Sequence, residues 1–166
     1  MVRYFGGQMK KKKKVMFMAS TGGHLDELLQ LKSLFEEYDY SLVTEKTKTT
    51  INLKEKYKNV GFLIYGTKDH FWSYPFKLFI NCFISLYYFI KFKPRYIVTT
   101  GAHSAGPMCC IGKLLGRKII FIETFANINT KTITGKLIYK FADLFIVQWK
   151  SMLKLYPKAK YGGWIY

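Results

Sequence analysis

The sequence is short of acid. It has 10 Asp and Glu against 27 Lys and Arg, a net charge of +17 over 166 residues. An imbalance of that size implies an anionic partner: nucleic acid, an acidic lipid surface or a phosphorylated substrate. Cysteine is scarce too. The three, Cys82, Cys109 and Cys110, are odd in number, two are adjacent, and no Cys-X-X-Cys occurs. That pattern argues against a disulfide framework or a cysteine metal site and fits a reduced, cytosolic setting. No Asp-X-Asp pair is present to clamp a metal, and no metal or other cofactor is expected. The Gly-X-Gly-X-X-Gly and Gly-X-X-X-X-Gly-Lys-Ser/Thr fingerprints are missing, and so is Gly-X-Ser-X-Gly. Ala102-His103-Ser104-Ala105-Gly106 fails that last pattern, because Ala stands where its first Gly belongs. Redox, NTPase and serine-hydrolase readings therefore lose ground. Long apolar runs are lacking as well. Leu78 to Ile90 is free of charge, but thirteen residues of helix rise only about 20 Å against a hydrocarbon core of roughly 30 Å. The apolar run after the Lys10–Lys14 cluster is too short for a signal peptide and ends in a glycine turn.

What is present points to one well-cored domain. Hydrophobic residues make up 49% and aromatics 18%, too many for a disordered chain. Residues 1–14 read as a basic tail and 15–166 as the domain. Short β-type runs recur at Val15–Ala19, Ser41–Thr44, Val60–Tyr65, Tyr96–Thr100, Lys118–Ile122 and Leu144–Val147. Helical patterns lie between them at Leu25–Tyr38, Phe71–Phe92, Met108–Leu115 and Thr134–Phe141, with a weak helix in Glu45–Asn59 and a short turn at Ser151–Tyr156. Strands alternating with helices predict an α/β fold: a single Rossmann-like open parallel sheet with helices on both faces.

Residues 71–92 are unusual. On a helical wheel Lys77, Asn81, Ser85, Tyr88 and Lys91 share one narrow face, and the rest is apolar and largely aromatic. Two readings stay open. The helix is buried between the sheet and a neighbour, or it lies in a membrane interface. In the second case Phe79, Phe83 and Tyr87 enter the lipid, and Trp72 and Tyr74 act as interfacial anchors.

In open parallel sheets, ligands bind beyond the carboxyl ends of the strands. Three candidate groups fall there. Thr21-Gly22-Gly23-His24 joins the first strand to the first helix, a layout suited to cradling an anion. Gly101 to Pro107, with His103, Ser104 and Gly106, follows the fourth strand, and Glu123 ends the fifth. A carboxylate after Ile119-Ile120-Phe121-Ile122 is odd for a core and natural for a strand's carboxyl end.

Several pieces match a known family in order. They are Thr21-Gly22-Gly23-His24, Thr100-Gly101 with the His103–Pro107 loop, Ile122-Glu123, Thr134-Gly135-Lys136-Leu137, Ala142 to Trp149, Tyr156-Pro157 and Tyr161-Gly162-Gly163. The pattern resembles the membrane-anchoring subunit of the two-subunit UDP-N-acetylglucosamine transferase of asparagine-linked glycosylation. It is closer still to bacterial counterparts in capsule and exopolysaccharide synthesis. The resemblance runs from about Lys13 to the C-terminus.

That resemblance implies the N-terminal, acceptor-side half of a B-type glycosyltransferase fold, inactive or nearly so alone. A separate small subunit would bind the UDP-sugar donor. The acceptor would be a polyprenyl-diphosphate-linked sugar at the cytoplasmic face of the cell membrane, with the basic charge meeting an anionic lipid surface. Carried over by position, Thr21, Gly22, Gly23 and His24 line the acceptor diphosphate or its first sugar. Gly101, His103, Ser104 and Gly106 form the second loop. An inverting transfer needs a base at the acceptor hydroxyl, with His24 ahead of Glu123. The tail, residues 157–166, would dock the catalytic partner through Tyr161, Trp164, Ile165 and Tyr166. The alternative is a basic nucleic-acid-binding α/β domain. It rests on charge alone, and the aromatics are not interleaved with Arg as a base-stacking surface requires, so no nucleic-acid partner is expected.

Overall fold

The structure is a computed structural model that describes residues 12–66, 74–101 and 104–165, the side chain of Tyr74 excepted. Seven strands among these residues form one parallel sheet: β1 (Lys14–Ala19), β2 (Asp39–Glu45), β3 (Val60–Leu63), β4 (Tyr96–Gly101), β5 (Lys118–Ile122), β6 (Leu144–Val147) and β7 (Lys160–Tyr161). Their spatial order is β3-β2-β1-β4-β5-β6-β7. The chain builds outward from β1 to β3, then returns to lay β4 on the other side of β1. Crossovers leave β1 and β4 in opposite directions, so their carboxyl ends part and open a crevice.

Side chains on each strand alternate between the two faces. Met16, Met18, Val43, Ile97, Ile119, Phe121, Phe145 and Val147 join one core cluster. Helices α3 (Tyr74–Phe92), α4 (Ala105–Leu114) and α5 (Ile133–Ile138) pack together on that side. Val15, Phe17, Ala19, Leu42, Val98 and Ile122 point to the other face. There Leu25 and Leu28 of helix α1 (Gly23–Leu29), with Leu31 and Phe35 beyond it, cover β1 and β2. Beyond them, Val98, Ile120, Ile122 and Ile146 line an apolar groove of about 370 Å³ that Ile165 borders.

The six strand-like runs all form strands in the predicted order. The helix expected over Leu25–Tyr38 is shorter. It is α-helical to Leu29 and tightens into a 3-10 segment, Gln30–Phe35. That tightening seats Phe35 between the rings of Phe17 (4.5 Å) and Tyr40 (4.7 Å). The weak helix in Glu45–Asn59 is a single turn, α2 (Leu53–Lys56), and the Ser151–Tyr156 turn is a 3-10 segment, Lys150–Lys154. Helix α4 starts at Ala105, so Gly106 and Pro107 lie inside its first turn, not in the preceding loop. Helix α5 ends at Ile138, three residues before the expected Phe141, and Thr132 caps its start by accepting from Gly135 N–H. The tail, residues 157–166, was expected to dock a partner, with no strand assigned to it. Two of its residues instead form β7, in parallel register with Ile146 and Val147.

Helix α3 is turned opposite to the usual amphipathic rule. Asn81 and Ser85 of its polar face are buried, while Phe76, Phe79, Phe83, Tyr87 and Ile90 are exposed. The cause lies in β3, an edge strand whose outward peptide groups need partners. Asn81 supplies two: Nδ2 donates to the carbonyl of Ile64 (2.9 Å) and Oδ1 accepts from its N–H (2.8 Å). Tyr88 Oη accepts from Phe62 N–H (2.9 Å). A Cβ on Gly61 would stand 2.8 Å from the Tyr88 ring, so only glycine allows this approach. No helix among the described residues is long and apolar enough to cross a membrane.

Candidate active site at the carboxyl edge of the sheet

The crevice between β1 and β4 is built from two glycine turns. Gly22, with φ +84°, lets the chain leave β1 and enter α1 at once, and its carbonyl accepts from Leu25 and Asp26 N–H. Gly22 and Gly23 are exposed, with open space beside each. Gly101, with φ +105°, ends β4, and a Cβ there would lie 3.2 Å from Phe121 and 3.8 Å from the ring of His24. The first loop and the second are thus neighbours, as the sequence reading requires.

His24 is fixed between them. Its Nδ1 lies 3.0 Å from the carbonyl of Thr100, and Thr100 Oγ1 donates back to the His24 carbonyl at 2.6 Å. A carbonyl only accepts, so in the neutral ring Nδ1 carries the proton and Nε2 holds the free lone pair. That is the tautomer a general base needs.

Glu123 is different. It is 1% exposed, and donors occupy its carboxylate. Tyr156 Oη donates to Oε2 (2.8 Å), Thr132 Oγ1 to Oε1 (3.0 Å) and Thr124 N–H to Oε1 (3.3 Å). Burial raises its pKa, while these donors, and to a smaller degree His24, pull it back. A Cβ on Gly135 would collide with Glu123, Thr132 and Tyr156, so α5 closes down on the carboxylate through a glycine.

The remaining expected residues divide. Ser104 is buried, with Oγ 2.8 Å from Ser20 Oγ. Gly106 is buried, in the first turn of α4. Thr21 is half-buried beside the crevice. His103, Trp72 and Tyr166 lie outside the described residues, as does the Tyr74 side chain. Phe79, Phe83 and Tyr87 are exposed on α3. Trp164, 73% exposed, stands edge-on to Phe125 (5.2 Å), Tyr161 is exposed, and Ile165 is half-buried with its N–H on Gln148 Oε1 (3.3 Å). Among the described residues no cluster of His, Cys, Asp and Glu suits a metal.

Two carboxylates were not singled out as site residues in the sequence. Glu27, one turn after His24, accepts through Oε1 from Thr124 Oγ1 (2.6 Å) and Phe125 N–H (3.0 Å), tying α1 to the loop after β5. Glu45 ends β2 and is almost fully buried. Its signal was the one that exposed Glu123, an acid directly after an apolar strand.

A parallel sheet in this order, with both glycine turns at its crevice, defines the class: the Rossmann-like half of a B-type glycosyltransferase fold. The fold matches Acinetobacter baumannii MurG with a TM-score of 0.69 at 23% identity, over 84% of this chain and 42% of that one. It matches UDP-N-acetylglucosamine 2-epimerase from Rickettsia bellii with a TM-score of 0.67 at 15% identity, over 86% of this chain and 40% of that one. The chain thus spans about two-fifths of either solved enzyme.

Residues 66–165 match the family model described as "Oligosaccharide biosynthesis protein Alg14 like", and the chain belongs to that family. It is 24% identical over 180 residues to UDP-N-acetylglucosamine transferase subunit ALG14 of Mus musculus, covering 90% of this chain and 82% of the mouse protein. The Schizosaccharomyces pombe subunit alg14 is 27% identical over 173 residues, covering 91% and 82%.

Proposed function

We propose that this chain is the acceptor-side subunit of a two-subunit glycosyltransferase that moves a sugar from a UDP-sugar to a polyprenyl-diphosphate-linked sugar. The relatives it resembles are named as UDP-N-acetylglucosamine transferase subunits. The observation that carries the chemistry is His24, held by Thr100 between two glycine turns, with no partner on Nε2 among the described residues. In the reaction, Nε2 takes the proton of the acceptor hydroxyl. The oxygen bonds to the anomeric carbon as the bond to UDP breaks, and UDP leaves with that electron pair. Gly22, Gly23 and Gly101 let a diphosphate approach the backbone. Thr21, His103, Ser104 and Gly106 complete that wall. Glu123, enclosed by donors, is the second candidate base.

A likeness to about two-fifths of MurG supports a reading in which a donor-binding subunit supplies the other wall. The donor-binding subunit docks on the tail, where Tyr161, Trp164, Ile165 and Tyr166 supply apolar anchors. The apolar groove beneath Ile165 continues that surface. The outward face of α3 enters the interface of an anionic membrane on its cytoplasmic side, with Phe79, Phe83 and Tyr87 as the wedge, Trp72 and Tyr74 as anchors and Lys10–Lys14 as electrostatic support. Capsular or exopolysaccharide synthesis is the setting we infer for the product. No cofactor is needed beyond the donor. Nothing in the comparisons supports a nucleic-acid partner.

The test is reconstitution. The chain alone transfers little sugar, and addition of the donor-binding subunit restores transfer to a lipid diphosphate. Full turnover by the chain alone sinks the split-enzyme reading. His24→Ala lowers turnover by about 10²-fold or more while partner pull-down is kept; unchanged turnover removes His24 from the site.

A further inference from the structure

Three chain segments at the carboxyl edge of the sheet converge on Glu45, a carboxylate only 4% exposed. Its Oε2 accepts from Thr21 N–H at 3.1 Å, just before the Gly22–His24 turn. Burial pushes its pKa up, and Thr21 N–H, Gly66 N–H beyond β3 and the Ser104 hydroxyl at the start of α4 pull it back. Ser104 is joined in turn to Ser20 (2.8 Å). Glu45 is itself fixed from below. Thr50 Oγ1 donates to its carbonyl at 2.6 Å, and the next residue, Lys46, bonds through N–H to the Leu63 carbonyl at 2.8 Å.

A carboxylate stays buried only where donors replace the lost water. Here they come from three loops, so the loops cannot part without stranding Glu45. Loops that grip an anion lose affinity when they must be ordered at the moment of binding. We propose that Glu45 is the positioning residue of the acceptor cradle: it locks the Thr21–His24 turn against the start of α4, so that both walls are set before the acceptor arrives. The proposal rests on the acceptor reading of this crevice. Glu45 does not touch the acceptor. It acts through Thr21 and Ser104.

The chemistry suggests the probe. A carboxylate only accepts, whereas an amide of the same shape carries two N–H donors. Glu45→Gln leaves the donors at Thr21, Gly66 and Ser104 one acceptor oxygen to share instead of two, at nearly unchanged volume. The assay uses the full chain with its donor-binding subunit, UDP-N-acetylglucosamine, and a short isoprenyl diphosphate bearing N-acetylglucosamine. For E45Q, the acceptor KM rises about tenfold, while kcat and the donor KM stay within about twofold. Amide exchange across residues 20–25 quickens about tenfold, with β5 and β6 unchanged. A lower melting temperature with no change in acceptor KM makes Glu45 merely structural and overturns the proposal, as does unaltered exchange across residues 20–25. If E45Q does not fold, Ser104→Ala, which removes one donor, still quickens exchange across residues 20–25, and unaltered exchange there counts equally against the idea. If the unmodified complex transfers no sugar, the acceptor reading fails by itself, and exchange across residues 20–25 still decides whether Glu45 locks the turn.

Discussion

Helices α1 and α3 treat their apolar residues in opposite ways. In α1, Leu25 and Leu28 are buried and Asp26 is exposed. In α3, Asn81, Ser85 and Phe89 are buried, while Phe76, Phe79, Phe83, Tyr87 and Ile90 face out. Helix α1 crosses the middle of the sheet, where every strand already has hydrogen-bonded neighbours and only apolar side chains remain to be covered. Helix α3 runs beside β3, where peptide groups have no further strand to pair with. The inside of a helix is therefore set by what it packs on, and a sheet edge asks for polar groups as strongly as a sheet face asks for apolar ones. The apolar surface displaced outward on α3 has no cover among the described residues.

Four substitutions test that contrast. The largest effect belongs to Leu28→Ala on α1. Leu28 is fully buried, and its loss destabilises the fold by about 2–5 kcal/mol in a denaturant titration, with vesicle binding per folded molecule unchanged. Next is Asn81→Leu, which is more apolar yet strands the N–H and carbonyl of Ile64. It costs about 2–3 kcal/mol in the same titration. A neutral result would show that the edge pairing is not what turns α3. Third, Phe79→Ser with Phe83→Ser leaves stability within about 0.5 kcal/mol, because both rings are already exposed. The pair lowers cosedimentation with anionic vesicles about tenfold, near 1.4 kcal/mol; undiminished binding would end the membrane reading of this face. Smallest is Ser85→Ala. The buried Ser85 Oγ has no partner among the described residues, so its removal is neutral or stabilising by up to about 1 kcal/mol.

The parts of the molecule governed by local pattern were legible. Apolar runs such as Lys118–Ile122 and Leu144–Val147 coincide with β5 and β6 residue for residue. The two glycine turns were visible because positive φ after a strand requires glycine at Gly22 and Gly101. Helix α3 was visible as a helix with two faces, but the wheel cannot tell which face turns inward, since that depends on an edge strand found only after the sheet is ordered. Strand β7 was too short to leave an alternating pattern, and it exists because Val147 offers its neighbour a free edge. In the site, His24 and Glu123 were nameable from their places at strand ends. The difference in their surroundings was not. The Thr100 carbonyl that sets the His24 tautomer is 76 positions away, and the Tyr156 hydroxyl on Glu123 is 33 positions away. Glu45 was passed over because the threonines and lysines after it read as a loop.

The two borders of the sheet are finished differently. At β3, Asn81 and Tyr88 stopper the outward peptide groups, while at β7 the border is two residues long and bare. Growth by strand addition is blocked at the first rim and has almost no template at the second. Among the described residues, a strand added at the first rim must displace Asn81 and Tyr88, and one added at the second meets two residues to pair with.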